Sequence, residues 1–154
     1  MIKLIIILST FVSILLSERG DLLTYEYVDS RDVETIQEQL NAQFGALSPT
    51  ALYDIDLYAI TYETIDQFGD VAIASGAIVV PIGQLETLPL LSFHHGTQVK
   101  RSSTYSLDNS NFDLLTAWLG GTGYISVFPD FLGLGISEVF HPYQINTPSA
   151  TAVI

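Results

Sequence analysis

The fold class depends on one stretch, Leu88-Pro89-Leu90-Leu91-Ser92-Phe93-His94-His95-Gly96-Thr97, and on a second apolar run from Tyr124 to Phe128. Both runs are short, apolar on both faces and followed by a loop. Between them lies a helix-like stretch from Phe112 to Leu119, which Gly120-Gly121 is expected to end. This order predicts two parallel strands that are buried from both sides and joined by a right-handed crossover through a helix.

A hairpin is predicted upstream of these strands. Residues Ala51 to Ile65 partly alternate between apolar and polar, and Val71 to Val80 are almost wholly apolar. The five residues between them, Asp66-Gln67-Phe68-Gly69-Asp70, have the composition of a turn. We therefore expect an antiparallel hairpin at one side of the sheet. The fold class is α/β.

The segment 18–50 is interpreted as an N-terminal strap that carries one helix. Ser30 is predicted as its N-cap, and Gly45 is predicted to end it in a left-handed conformation. Between them one apolar stripe recurs at helical spacing, formed by Val33, Ile36, Leu40 and Phe44.

Residues 1–17 are interpreted as a signal peptide. Lys3 supplies a minimal basic region, and an apolar stretch from Leu4 to Leu16 follows, too short to cross a bilayer comfortably. Because Leu15 is larger than the cleavage pattern ending at Ser17 requires, the cleavage signal is weak, and an uncleaved anchor and a buried helix remain open. The signal-peptide interpretation predicts a secreted or periplasmic protein with no stable membrane insertion after cleavage.

Composition excludes several kinds of function. Acidic residues outnumber basic ones 17 to 5, and the net charge of −12 makes nucleic acid an improbable partner. The absence of cysteine rules out a thiolate nucleophile, a disulfide framework and thiolate-bound zinc. With 48% apolar residues the chain has ample material for a buried core.

Candidate chemistry lies in the loops that follow the two parallel strands, because ligands gather at the carboxyl ends of such strands. The first loop is His94 to Thr97, and the second is Asp130 to Pro142. Gly96 is expected to let the backbone turn sharply, so that neighbouring N–H groups point into the site and stabilise an oxyanion. Taken alone, two adjacent histidines after a strand are also compatible with an ordinary loop.

Three segments resemble the secretory lipase family in order and spacing. The hairpin is similar in Tyr53-Asp54-Ile55-Asp56-Leu57-Tyr58 and Ala74-Ser75-Gly76-Ala77. The stretch Leu90 to Thr97 resembles the family's "S-Y-Q-H-G-T" segment, with His94 in place of the usual glutamine. The stretch Phe128 to Tyr143 is similar to its "P-D-Y-x-G-x-G-x-S … H-P-Y" loop. The similarity covers residues 50 to 154.

The resemblance implies an α/β-hydrolase fold and hydrolysis of carboxylic esters, including acylglycerols, by a Ser-Asp-His triad. His95, Gly96 and Thr97 would form the oxyanion-hole loop, with the Thr97 N–H as a donor. Asp130 and Gly133 would belong to a substrate-side loop, where Asp130 is expected to accept backbone N–H bonds and hold its own loop. The implied partner is a small-molecule or lipid ester, and neither a cofactor nor a metal is implied.

The catalytic triad itself is not expected within these residues. No G-x-S-x-G elbow occurs in the sequence, and the superfamily order places the nucleophile, the acid and the histidine after Ile154. Residues 51–154 are therefore interpreted as a partial α/β-hydrolase domain, its N-terminal half, that ends before the nucleophile elbow and is inactive alone. Two alternatives stay open: a secreted binding protein with a degenerate hydrolase fold, and a related peptidase.

Four other groups of residues do not support a catalytic, nucleotide-binding or calcium-binding site. Asp130, Ser137 and His141 lie on one loop, whereas a triad draws its members from separate strand ends. The segment Gly133-Leu134-Gly135 lacks the third glycine of a dinucleotide fingerprint, and the calcium-like run 108–113 lacks the required glycine and closing glutamate. The aspartates Asp54 and Asp56 are interpreted as a solvated strand edge.

Overall fold

A computed structural model of the chain describes residues 19–83, 87–108 and 114–153. Its core element is one five-stranded mixed sheet with strand order β1-β2-β3-β5-β4. The elements in chain order are β1 (Leu22–Arg31), α1 (Val33–Phe44), a 3-10 turn (Gly45–Leu47), β2 (Ile55–Ile65), β3 (Val71–Pro81), β4 (Leu90–Ser92), α2 (Leu114–Gly121), β5 (Ile125–Pro129) and α3 (Asn146–Thr151).

The predicted hairpin is confirmed. Strands β2 and β3 pair antiparallel over their full length, from Ile55 opposite Pro81 to Ile65 opposite Val71. The hairpin does not lie at the edge of the sheet, however, because β1 pairs antiparallel with the outer side of β2. The sequence analysis expected only a helix in the segment that contains β1. Two register shifts interrupt this pairing, and such irregularities obscure the alternation by which a strand is recognised.

The predicted parallel pair is also confirmed. Strand β4 pairs with β5 in parallel, from Leu90 opposite Ile125 to Ser92 opposite Val127, and α2 lies between them in sequence. The expectation that both strands are buried on both sides is wrong for β4. In the described part of the chain β4 is an outer strand, and the Leu90 side chain is 71% exposed. Strand β5, between two neighbours, buries Phe128 completely.

The hydrophobic core lies mainly on one face of the sheet. Helices α1 and α2 cover this face and contribute three buried residues, Ile36, Leu40 and Ala117. They pack on Ile55, Leu57, Ala77, Val79 and Phe128 of the sheet. The opposite face carries a smaller cluster that includes Ile60, Tyr62 and Leu132. The larger core holds β5 in place, one of the two strands whose carboxyl ends form the candidate site.

The N-terminus of α1 differs from the prediction, whereas its C-terminus agrees with it. The N-cap is Asp32, whose carboxylate accepts a hydrogen bond of 2.8 Å from the Thr35 N–H and whose pKa is lowered mainly by that bond. Ser30, the predicted cap, belongs to β1 instead. Gly45 ends the helix at φ 56°, as expected for a residue without a Cβ atom.

The predicted end of α2 at Gly120-Gly121 agrees with the structure. Gly121 is the last residue of the helix, and the chain turns at Gly123, where φ is 104°. A Cβ atom at Gly120 would lie 2.4 Å from Val79 Cγ1, and one at Gly121 would lie 2.8 Å from Ile36 Cγ2. The two glycines therefore let α2 lie close to the sheet and to α1, which is a packing requirement that local sequence does not reveal.

Helix α3 begins at Asn146 and follows the second loop. It is held against β2 by two hydrogen bonds. The Tyr62 hydroxyl donates to the Ala152 carbonyl, and the Thr151 hydroxyl donates to the Ile65 carbonyl at 3.2 Å. Burial raises the pKa of Tyr62, with the Asp130 charge as a second cause, so this hydroxyl keeps its proton.

Three expectations concern residues outside the described ranges. These are the signal peptide at 1–17, the start of the predicted helix at 112–113 and most of the rejected calcium-like run. Across the ranges that are described, no helix combines the length and the apolar character needed to span a bilayer.

Candidate functional site

The two loops that were predicted to carry the chemistry meet at one cavity of about 290 Å³. The first loop contributes His95, Gly96 and Thr97, which are the predicted oxyanion-hole residues. The second contributes Phe131 and residues that follow it. The complete lining is His95, Gly96, Thr97, Gln98, Phe131, His141, Tyr143, Gln144 and Ser149. The cavity therefore lies at the carboxyl ends of β4 and β5, where a parallel sheet places its ligands.

The backbone of the turn after β4 offers unused hydrogen-bond donors. Within the described ranges, no group accepts a hydrogen bond from the N–H of His95, Gly96 or Thr97. Side chains hold the turn instead. The Thr97 hydroxyl is 3.0 Å from the Tyr143 hydroxyl, and the His95 Nδ1 atom is 2.6 Å from the Gly96 carbonyl. Unpaired N–H groups beside a cavity are the donors that an oxyanion hole requires.

The expected role of Gly96 in a sharp turn is not supported. Its φ angle lies outside the left-handed region, and a Cβ atom at this position would meet nothing within 4 Å. The backbone here is therefore open to other residues. Since Gly96 lines the cavity, its missing side chain leaves space for a ligand beside the free N–H groups.

Two residues that line the cavity have strained backbones. Phe131 (φ 65°) and Gln144 (φ 61°) are the two non-glycine residues with positive φ in the described part of the chain. The conformation costs about 1–3 kcal/mol at each and persists only where surrounding contacts hold it. At Phe131 these contacts are edge-on packings with the rings of His95 and His94, at centroid distances of 5.0 and 5.9 Å. Strain of this kind concentrates at functional sites.

Asp130 and Gly133, the predicted substrate-side residues, lie behind the cavity wall. Asp130 is fully buried and does not line the cavity. Its carboxylate accepts hydrogen bonds from the hydroxyls of Ser75, at 2.6 Å, and of Ser106. Asp130 was expected to accept backbone N–H bonds and hold its own loop. Its donors are instead Ser75 and Ser106, which lie outside that loop, and the one backbone donor is the Ser106 N–H at 3.4 Å. Gly133, with φ 79°, leaves no space for a Cβ atom, which would lie 2.3 Å from the backbone of His141.

Burial raises the pKa of Asp130, and the hydrogen bonds from Ser106 and Ser75 oppose that effect. Because the folded state then binds the proton more tightly than the unfolded state, the contribution of this group to stability is complete below the ordinary pKa of 3.8. It is lost as the pH rises through the raised pKa of the folded state.

We therefore expect the wild-type chain to lose stability, relative to Asp130→Asn, as the pH rises from below 3.8 toward neutrality. The asparagine side chain cannot titrate in this range, so the difference isolates the single carboxyl group. Urea unfolding of both proteins across a pH series measures it. A difference in unfolding free energy that stays constant with pH contradicts this assignment.

The residues on the second loop do not assemble into a local triad. His141 Nδ1 is 2.6 Å from the Leu132 carbonyl, and the Ser137 hydroxyl is buried without a partner among the described residues. A serine–histidine contact does occur between Ser92 Oγ and His94 Nε2 at 3.1 Å. Within the part of the chain that is described, no carboxylate contacts the His94 ring, and no group of three His, Asp or Glu side chains could hold a metal ion.

Sequence reasoning missed Ser75 and Ser106 as partners of Asp130. One signal was present: Ser75 interrupts the apolar run of β3, and a buried hydroxyl usually has a hydrogen-bond partner. Nothing in the sequence between β4 and α2 distinguished Ser106. Tyr143 and Gln144 were also missed as cavity residues, because their position depends on how the second loop folds back over the first.

Comparison with known proteins identifies related structures. No protein-family profile and no curated protein matches the sequence. Among solved structures, a point mutant of the rice cell wall degrading esterase LipA from Xanthomonas oryzae is 31% identical with a TM-score of 0.78, and 88% of this chain matches 35% of that chain. A Legionella pneumophila protein assigned as a hydrolase is 32% identical with a TM-score of 0.74, and 86% of this chain matches 36% of it.

A ligand-bound form of LipA gives a similar result, with 30% identity and a TM-score of 0.76. The chain spans about a third of the length of these structures, 35 to 36%. The predicted fold class is confirmed: an antiparallel hairpin leads into parallel strands, as in the matching portion of these enzymes. The chain therefore has a hydrolase-like fold, the N-terminal part of an α/β-hydrolase.

Proposed function

We propose that the chain is the oxyanion-hole portion of a secreted carboxylic ester hydrolase of the secretory lipase type. Its substrate would be a small-molecule or lipid ester, and its Ser-Asp-His triad would follow Ile154 in the superfamily order. Residues 1–17 would direct the protein to a secreted or periplasmic location. The similarity to LipA, an esterase, supports the reaction class.

One observation carries the proposal: three consecutive free backbone N–H groups, at His95, Gly96 and Thr97, border a cavity at the carboxyl end of β4. When a nucleophile attacks an ester, the carbonyl oxygen becomes an oxyanion. Fixed N–H donors stabilise that charge more than they stabilise the ground-state carbonyl, so they lower the barrier. The Thr97 N–H is the proposed principal donor.

Hydrolysis of p-nitrophenyl esters tests the proposal in two proteins. The 154-residue chain should show no turnover above background, because donors without a nucleophile leave the bond-breaking step uncatalysed. A protein that carries this chain followed by a G-x-S-x-G segment should turn over the ester and lose activity when that serine becomes alanine.

Two results would contradict this assignment. Turnover by the 154-residue chain that Ser137→Ala abolishes would place the nucleophile on the second loop. A continuous protein with an intact G-x-S-x-G segment and no activity on any ester would favour a binding protein with a degenerate hydrolase fold.

A further inference from the structure

The carboxyl group of Asp130 is buried without a salt bridge in the described residues. Its exposure is 0%, and its hydrogen-bond donors are two serine hydroxyls and the Ser106 N–H at 3.4 Å. Burying a carboxylate among neutral partners costs free energy that an apolar residue would not. Hydroxyl donors that point to one oxygen partly offset this cost and fix the side chain in one orientation.

The three residues join three separate segments of the fold. Ser75 lies in the middle of β3, and Asp130 directly follows β5. Ser106 lies in the loop that follows the turn His95–Thr97, which we call the oxyanion turn. Ser75 makes two further bonds to the second loop: its carbonyl accepts from the Asp130 N–H at 2.9 Å, and its hydroxyl accepts from the Ile136 N–H at 3.1 Å. Both ends of the segment 130–136 are therefore tied to one serine.

Asp130 also reaches the oxyanion turn directly. Its backbone carbonyl lies 3.2 Å from His95 Nε2, and the ring of the next residue, Phe131, packs edge-on against His95. A carbonyl can only accept, so the ring is the donor in this contact, as it is in the contact of Nδ1 with the Gly96 carbonyl. The carboxyl group sets the position of the Asp130 backbone, and that backbone sets the position of the His95 ring beside the free N–H groups.

We propose that Asp130, Ser75 and Ser106 form a positioning cluster that holds the turn His95–Thr97 in the geometry that an oxyanion needs. The importance of that geometry for catalysis rests on the proposed function. The hydrogen bonds that hold the turn in place do not depend on it. The three residues never touch the substrate. They act through the Asp130 carbonyl and the Phe131 ring. The backbone of Phe131 is strained, so it keeps its conformation only while the residues before and after it are held in place.

The test compares Ser106→Ala with Ser126→Ala in the 154-residue chain. Ser126 is the control, because it is buried more deeply than the half-buried Ser106 and, among the described residues, its hydroxyl bonds to the Tyr124 carbonyl at 3.3 Å and not to Asp130. In ¹⁵N-labelled protein, Ser106→Ala should shift the amide resonances of His95, Gly96 and Thr97 and the ring nitrogens of His95. Ser126→Ala should leave them in place at an equal loss of thermal stability.

Ser106→Thr, which keeps the hydroxyl, should restore the wild-type resonances. If Ser106→Ala does not fold, Ser75→Ala provides a second removal of one donor to the same carboxylate oxygen. Unchanged turn resonances in a folded Ser106→Ala protein, or equal shifts in the Ser126→Ala control, would overturn the positioning role.

Kinetics in a protein that also carries the triad give the second measurement. There Ser106→Ala should lower kcat about tenfold to a hundredfold with KM nearly unchanged, the scale of a slightly misplaced catalytic group. A change in KM with kcat unchanged would contradict the proposal that the cluster positions the turn His95–Thr97. If wild-type protein hydrolyses no ester while the resonance shifts occur as expected, the proposed function fails and the positioning cluster stands.

Discussion

Gly135→Ala is expected to destabilise the chain by about 4 kcal/mol, a large share of the total stability of a domain of this size. Gly135 has φ 59°, and a Cβ atom there would lie 2.1 Å from Ser75 Oγ and 2.3 Å from Asp130 Oδ2. The substitution therefore combines backbone strain with a collision against the buried cluster. Neither of the two polar atoms can retreat without breaking the hydrogen bonds that hold them.

Two other glycines separate the contributions of strain and collision. Gly45 has φ 56° and nothing within 4 Å of a Cβ atom, so Gly45→Ala should cost only the backbone strain, about 1–3 kcal/mol. Gly96 has neither feature, and Gly96→Ala should change stability by no more than about 0.5 kcal/mol. Urea unfolding ranks the three variants. If Gly135→Ala unfolds at the same urea concentration as Gly45→Ala, the close packing around Asp130 is not as described.

Thr97→Pro is expected to lower kcat of the complete hydrolase about a hundredfold to a thousandfold, the usual effect of losing one oxyanion donor. Proline has no N–H group, so the substitution removes the proposed donor itself. The effect should fall on kcat and leave KM nearly unchanged, because the donor acts on charge that develops only in the transition state. Steady-state hydrolysis of a p-nitrophenyl ester measures both quantities.

Thr97→Val is the matched control, because it keeps the N–H and the branched shape but loses the hydroxyl that contacts Tyr143. Its kcat should stay within about tenfold of wild type, since a neutral hydrogen bond contributes about 1 kcal/mol. Thermal unfolding shows whether Thr97→Pro folds. If it does not, Gly96→Leu gives a second test, since Gly96 lines the cavity and a Cβ atom there would meet nothing within 4 Å. A folded Thr97→Pro enzyme with kcat within about threefold of wild type rules out this donor.

Local patterns in the sequence were sufficient for the outline of the fold and the place of the candidate site. The alternation in β2, the turn before β3 and the paired apolar runs of β4 and β5 each act over a few neighbouring residues. Since both parallel strands end at the same side of the sheet, their loops had to meet, and the cavity lies there. Strand β1 was missed because its pairing with β2 slips twice, which breaks the regular alternation.

The contacts between segments that are distant in the sequence were decided only by the tertiary structure. Ser75 and Asp130 are 55 positions apart, and Ser106 and Asp130 are 24 apart, so no local rule brings their side chains together. The same holds for the glycines: a Cβ atom at Gly96 would meet nothing within 4 Å, whereas one at Gly135 would collide with the buried cluster, although both residues follow a parallel strand. The sequence alone determined which strand ends carry the site. Packing between strands and loops determined which residues of those loops face the cavity and which hold it in place, because burial and close approach depend on neighbours that are remote in the chain.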